Sequence, residues 1–154
     1  ATLLLVPLLP IQQEISHANI NPRERVVLYR RFMMRIAERS AHEESCGALV
    51  TGDSLGQVAS QTLENIGVIS HAVSMPIFRP LIGENKEDII NTARAIGTHD
   101  ISAQPYEDCC SLFVPEHPET RAQLEMIEES EGKLDGERLI QEAIDTIERK
   151  EFSL

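Results

Sequence analysis

The sequence predicts an α/β chain: part of a parallel sheet with flanking helices, followed by a C-terminal helical tail. Three observations carry this expectation. Short apolar runs alternate with stretches of helical periodicity, the order that builds βαβ units. Glycine or proline brackets the short runs, as at "CGALVTG" and "MPIFRPLIG". The last 40 or so residues then keep helical spacing with a strongly acidic composition. Three strands are few for a complete doubly wound fold, so half a sheet is expected, with the other strands lying elsewhere.

The elements follow in order. "TLLLVPL" reads as a short buried strand. "PRERVVLYRRFMMRIAERSAHEES" reads as a long helix, with Pro22 at its start and Val26, Val27, Met33, Ile36 and Ala37 at apolar positions near helical spacing. On that helix Arg31, Arg35 and Arg39 lie four residues apart and form one stripe, with Arg30 beside them. "CGALVTG" is a strand entered from Gly47 and left at Gly52. "DSLGQVASQTLENIGVI" then predicts a helix capped by Asp53 or Ser54.

"MPIFRPLIG" is a third strand, kept short or near an edge by Pro76 and Pro80. "NKEDIINTARAIGTHD" carries the clearest helix signals. Asn85 is the cap, Asp88 sits three residues later, Ile89, Ile90, Ala93 and Ile96 are expected to face inward, and Gly97 ends the helix. The tail from about Glu119 holds one or two amphipathic helices, interrupted near "EGKLDG", with Leu139, Ala143, Ile144 and Ile147 as the buried face.

A length of 154 residues suits one ordinary domain, and 42% apolar residues suffice for a core. No apolar run is long enough to span a membrane. The opening "ATLLLVPLLP" lacks a charged n-region and is broken by Pro7 and Pro10, so a secretory signal is not expected. Without an initiator methionine, the chain reads as a piece of something longer. Its three cysteines, Cys46, Cys109 and Cys110, do not make a secreted scaffold, which favours a reducing cytoplasm.

The net charge of −11 argues against binding nucleic acid over the whole surface. Residues 115–154 hold twelve acids against five bases, yet residues 23–39 contain six arginines and two acids. Such an island is either a ligand-facing patch or a solvated helix face with ion pairs.

In an open parallel sheet, ligands bind at the carboxyl ends of the strands. "VTGDSLGQVASQT" is such an end. Gly52 allows close backbone approach, and the expected helix start offers N–H groups to an anion. Ser54, Gln57 and Gln61 would share one helix face, able to read a base edge or simply to be solvated.

In "QPYEDCCSLFVPEHP" the adjacent Cys109 and Cys110 admit three readings. They could bind a metal with His117, although metal ligands normally come as C-x₂₋₄-C. They could be two small residues in a turn. Or they could act as reactive thiols, activated only if cationic neighbours outweigh Glu107 and Asp108. His17, His42, His71, His99 and His117 are scattered without ligand or triad spacing. There is no nucleophile elbow, Walker motif, G-x-G-x-x-G or internal repeat.

Three stretches together, "YRRFMMRIAERSAHEESCGALVTGDSLGQVASQTLENI", "RPLIGENKEDIINTARAIGT" and "QPYEDCCSLFVPEHPETR", resemble the tRNA 4-thiouridine synthetase family, also called the thiamine biosynthesis sulfurtransferase ThiI. The likeness covers roughly residues 3 to 125. It implies a PP-loop ATP pyrophosphatase domain with a Rossmann-like sheet. Residues 1–114 would be the C-terminal half of that adenylating domain, and residues 115–154 an acidic helical extension.

The resemblance further implies that ATP, with Mg²⁺ in the complete enzyme, adenylates the uridine C4 oxygen at tRNA position 8, and that persulfide sulfur then displaces AMP. Sulfur supply to the thiamine thiazole is a second implied role. The ATP-contacting positions fall on Arg30, Gly52 and Gln61, and the reactive cysteine on Cys109, with Cys110 auxiliary. The implied partners are tRNA, a cysteine desulfurase or rhodanese-type persulfide donor, and the missing N-terminal half of the domain. A homodimer is a further candidate assembly, and no membrane partner is expected.

The family's "SGGxDS" phosphate loop and its ferredoxin-like and THUMP domains do not occur in these residues. Alone, the chain is therefore expected neither to hold ATP properly nor to catalyse. The alternative is a non-catalytic binding or assembly module that retains the fold.

Overall fold

The computed structural model describes residues 1–105, 113 and 115–153. In chain order the elements are β1 (Thr2–Leu5), α1 (Leu9–His17), α2 (Arg25–Glu43), β2 (Leu49–Val50), α3 (Leu63–Ser70), β3 (Ile77–Phe78), α4 (Lys86–Ala95), α5 (His99–Ser102), α6 (Leu124–Glu131), α7 (Gly136–Asp145) and β4 (Glu148–Glu151). The fold is α/β. β2 and β3 pair in parallel with Leu49 opposite Ile77 and Val50 opposite Phe78, and α3 makes the crossover between them.

The long helix forms where it is expected. Pro22 opens a single 3₁₀ turn, Pro22–Glu24, and α2 continues from it for 19 residues. Its apolar face is wider than the predicted stripe, because neighbours surround it. Val27, Leu28, Tyr29 and Phe32 are fully buried, Val26 and Ile36 nearly so, and Met33 and Ala37 half-buried. Ile11 and Ile15 of α1, Val68 and Ile69 of α3, Ile127 of α6, and Leu139, Ile140 and Ala143 of α7 complete the same core. Each fully buried aliphatic or aromatic side chain contributes about 1.5–3 kcal/mol, so this central helix dominates the packing energy. The two tail helices break at residues 132–135 as expected, with Ile144 and Ile147 half-buried.

Four expectations need correction. "TLLLVPL" is a strand but not a buried one, and it does not join the parallel sheet. β1 pairs antiparallel with β4, Thr2 opposite Glu151 and Leu5 opposite Glu148, and Leu3 and Leu5 are 44% and 38% exposed. β4 itself reads "ERKE", four exposed polar residues with no apolar alternation to announce a strand.

Next, no helix starts at Asp53. Residues 51–58 form an irregular loop, Ala59–Gln61 a 3₁₀ turn, and α3 begins only at Leu63, where the Thr62 hydroxyl accepts from the Asn65 N–H. Ser54, Gln57 and Gln61 therefore share no helix face, and Leu55 and Val58 are exposed rather than in the core. α1, within "PLLPIQQEISHANI", was not expected.

Lastly, α4 has its predicted cap, with Asn85 Oδ1 accepting from the Asp88 N–H at 3.0 Å, and its predicted stop at Gly97, which sits at φ +75°. Yet none of its residues is buried: Ile89, Ile90 and Ala93 are half-covered, and Ile96 is exposed.

Candidate functional site

β2 ends at Val50, and the chain beyond it is strapped to the segment after β3. The Thr51 N–H donates to the Phe78 carbonyl at 3.0 Å, the Leu55 N–H to the Ile82 carbonyl at 3.2 Å, and the Ser54 hydroxyl to the Glu84 carbonyl at 2.9 Å. Gly56, at φ +76°, lets the loop turn back so that its N–H reaches the Gln61 carbonyl at 2.9 Å. These bonds give the loop a fixed shape without a helix.

At its centre the loop buries one carboxylate, Asp53, which is only 3% exposed. Arg30 from α2 pairs with Oδ1, and Arg79, the residue directly after β3, donates from Nε to Oδ2 at 3.0 Å. The Thr51 hydroxyl donates to Oδ2 at 2.7 Å, and Gln61 Nε2 approaches Oδ1 at 3.5 Å. Burial by itself would raise this carboxyl's pKa. The hydrogen bonds from Arg30, Thr51 and Arg79 and the charge of Arg30 outweigh burial and hold it below the usual carboxylate range.

The two guanidiniums have further partners. Arg30 Nη1 donates to the Ser60 hydroxyl at 3.3 Å, and Arg79 Nη2 to the Ser70 hydroxyl at 2.8 Å. The arginine side chains are 17% and 14% exposed, so both are largely desolvated. Two such cations share one anion, which leaves the cluster with surplus positive charge. Gly52 stands beside it with open space: a Cβ added there would meet nothing within 4 Å. Surplus cationic charge next to an open glycine fits a phosphate-bearing ligand at the carboxyl end of parallel strands.

The structure thus brings Arg30 and Gln61 onto one carboxylate, with Gly52 adjacent to it in the chain. Cys109 and Cys110 lie outside the described residues. Asp53, expected as a helix cap, is the hub of the cluster, and Arg79 had no predicted role. The available signal was position: Arg79 follows β3 as Gly52 and Asp53 follow β2, and strand ends in parallel sheets are where sites assemble. Among the described residues no group of three His, Cys, Asp or Glu side chains could hold a metal ion, and no helix is long and apolar enough to cross a membrane.

The rest of the arginine stripe has a different destination. Arg31 is 1% exposed and donates from Nε and Nη2 to both oxygens of Glu131, at 2.9 Å each, and from Nη1 to the Val68 carbonyl at 2.6 Å. Arg35 grips the same carboxylate at 2.8 and 3.0 Å, and Arg39 reaches Glu137 at 2.8 Å. Burial would raise the pKa of Glu131, but Arg31 and Arg35 outweigh it and lower it. This stripe is a set of ion pairs to the acidic tail.

The segment that follows the cysteine pair is also anchored near the site. Fully buried Asn65 donates from Nδ2 to the Ala59 and Glu119 carbonyls at 2.8 and 2.7 Å and accepts from the Ala122 N–H at 2.9 Å. Thr62 adds a bond to the Thr120 carbonyl at 2.7 Å.

Comparison with known proteins supplies the family. A family model described as "Thiamine biosynthesis protein (ThiI)" matches residues 1–135. A protein of Alkaliphilus oremlandii named "Probable tRNA sulfurtransferase" is 50% identical over 149 residues, which is 97% of this chain and 38% of that protein. One of the same name from Thermus thermophilus is 53% identical over 136 residues, covering 88% of this chain and 33% of its own length. The crystal structure of a 4-thiouridine synthetase–RNA complex with bound ATP superimposes with a TM-score of 0.90 at 38% identity, over 97% of this chain and 39% of that one. The chain therefore spans between a third and two fifths of the length of the relatives it matches. With a family model covering most of its residues, this chain belongs to the ThiI thiamine biosynthesis protein family.

Proposed function

We propose that this chain is the C-terminal half of the adenylating domain of a tRNA sulfurtransferase, with residues 115–154 as the extension that braces it. One observation carries the reading. Arg30 and Gln61 converge on Asp53 at the end of β2 beside the open Gly52, and the match at a TM-score of 0.90 is to a 4-thiouridine synthetase with bound ATP and RNA. In this reading Arg30 faces the phosphates, and Gly52 and Gln61 face the adenosine. The uridine C4 oxygen of tRNA attacks the α-phosphorus, pyrophosphate leaves, and persulfide sulfur then displaces AMP.

Cys109 does the thiol chemistry. Its thiolate takes the carrier sulfur of the persulfide into a disulfide and so releases the transferred sulfur. The persulfide comes from a cysteine desulfurase or a rhodanese-type carrier, and the same supply serves the thiamine thiazole. Magnesium bound with ATP would neutralise charge on its phosphates. The protein works in the cytoplasm, and a homodimer is its candidate assembly.

A bare sheet face supports the expectation of further polypeptide around this segment. Parallel strands are covered on both faces in α/β folds, yet Val50 is 70% and its register partner Phe78 61% exposed. The rest of the adenylating domain, with the phosphate-gripping loop, would cover them.

The test is Cys109→Ser in the complete protein. 4-Thiouridine formation is expected to vanish while ATP-dependent adenylation of tRNA stays near wild type. An unchanged thiouridine yield rejects the assignment.

A further inference from the structure

We infer that Arg79 is a second phosphate-facing cation of the nucleotide site, and that Asp53 is the positioning residue that clamps Arg79 and Arg30 as a pair. The inference rests on the nucleotide reading of the Arg30–Gly52–Gln61 cluster and adds two residues to it.

The geometry is specific. Asp53 is buried and gives one oxygen to each arginine, Oδ1 to Arg30 and Oδ2 to Arg79. The arginines come from α2 and from the end of β3, 49 positions apart in the chain, and the carboxylate is their common contact. Ser60 and Ser70 each accept from a second nitrogen of the guanidinium, at 3.3 and 2.8 Å.

Arg79 spends Nε on Asp53 and Nη2 on Ser70, which leaves Nη1 without a partner among the described residues. Arg30 spends one N–H of Nη2 on Asp53 and one of Nη1 on Ser60, which leaves Nε–H and the second N–H of each Nη. A planar fork held at two of its nitrogens keeps its remaining N–H donors fixed in direction. The cluster's charge sum points the same way. Asp53 cancels one of the two cations, and no second acidic side chain pairs with either arginine among the described residues. The uncancelled charge sits where the strands end and Gly52 leaves room, so the ligand it favours is a polyphosphate anion.

The two roles separate in kinetics. Removing Arg79 subtracts a donor and a charge from the phosphate site, so binding of ATP weakens while binding of adenosine does not. Replacing Asp53 with asparagine subtracts no positive charge, but its one acceptor oxygen can serve a single guanidinium and its amide NH₂ cannot accept from the other. The arginines stay cationic and lose their alignment, which appears in kcat more than in KM for ATP.

The experiment uses the complete protein and measures binding of ATP and of adenosine, steady-state adenylation of tRNA, and thermal melting. The variants are Arg30→Ala, Arg79→Ala, Arg79→Gln and Asp53→Asn. Both Arg79 variants are expected to weaken ATP by about tenfold or more, the scale of one lost charge-assisted hydrogen bond, and to leave adenosine within about twofold. Asp53→Asn is expected to lower kcat about tenfold or more with a smaller change in KM.

Arg79 variants that bind ATP like wild type while Arg30→Ala does not would overturn this inference and spare the nucleotide reading. ATP binding unaffected in all three arginine variants would overturn both. Equal loss of ATP and adenosine binding in the Arg79 variants would make Arg79 a brace of the fold, against the proposal. A wild-type kcat in Asp53→Asn would remove its positioning role.

Discussion

Two carboxylates in this chain each hold a pair of arginines, and the two pairs begin at neighbouring residues of α2. Arg30 turns to Asp53, where Arg79 joins it, and Arg31 turns to Glu131, where Arg35 joins it. Successive residues on a helix point about 100° apart, so the same residue type one position later meets a different part of the fold. At Glu131 a second acid, Glu128, approaches Arg31 at 3.9 Å, and two cations meet two anions. At Asp53 no second acid arrives among the described residues, and the cluster opens beside a glycine. The balanced cluster joins α2 to α6. The unbalanced one has charge left for a ligand.

That contrast is most severely tested by breaking the balanced cluster. Glu131→Ala leaves fully buried Arg31 without its bidentate partner, and loss of one member of a buried ion pair costs about 3–5 kcal/mol. Urea denaturation of the chain should show that loss. Replacing the pair together, Arg31→Met with Glu131→Leu, should recover most of it, because no buried charge is then stranded. A loss under about 1 kcal/mol in the single variant would mean that the cluster does not hold α6 in place.

The next effect is on pH dependence. Both carboxyls have folded-state pKa values below their ordinary ones, so each stabilises fully above the ordinary value and loses that contribution as pH falls through the folded one. The ordinary values are 4.5 for Glu131 and 3.8 for Asp53. Stability of wild type is therefore expected to fall more steeply than that of Glu131→Gln below about pH 4.5, with Asp53→Asn diverging only at lower pH. Unfolding curves taken between pH 2 and pH 6 would reveal it, and parallel curves would contradict the assignment. The smallest effect belongs to the last member of the stripe. Arg39 and Glu137 are 37% and 78% exposed, so Arg39→Ala should change stability by under about 1 kcal/mol.

The sequence was most legible where the cause of structure is local. Asn85 and Gly97 set the ends of α4 through bonds within a few residues of each, and the 3.6-residue spacing of α2, α6 and α7 comes from packing along one element. The carboxyl end of "CGALVTG" was also legible as a candidate site, since strand ends in parallel sheets collect ligands whatever follows. Asp53 shows where local reading fails. Its side chain is a good helix cap in isolation, but Arg30 and Arg79, 23 and 26 positions away, claim both oxygens. The loop therefore stays irregular until Thr62 supplies another cap. Arg31 fails for the same reason. Its fully buried position depends on Glu131, 100 positions later, which no window along the chain contains. α4 shows the converse. Its pattern is correctly amphipathic, but the surface its isoleucines would cover is not among the described residues.

The pairing of β1 with β4 has a consequence for how the chain is made. Thr2 waits for Glu151, so this clasp cannot close until almost the whole segment has left the ribosome. At about 5–20 residues per second that delay is roughly 7–30 s. During it, Leu4, Val6 and Leu8, which line an apolar hollow of about 490 Å³ with Met33 and Leu49, have no closed strand beside them. The β1 side of the groove is therefore the last part of it to be held in place.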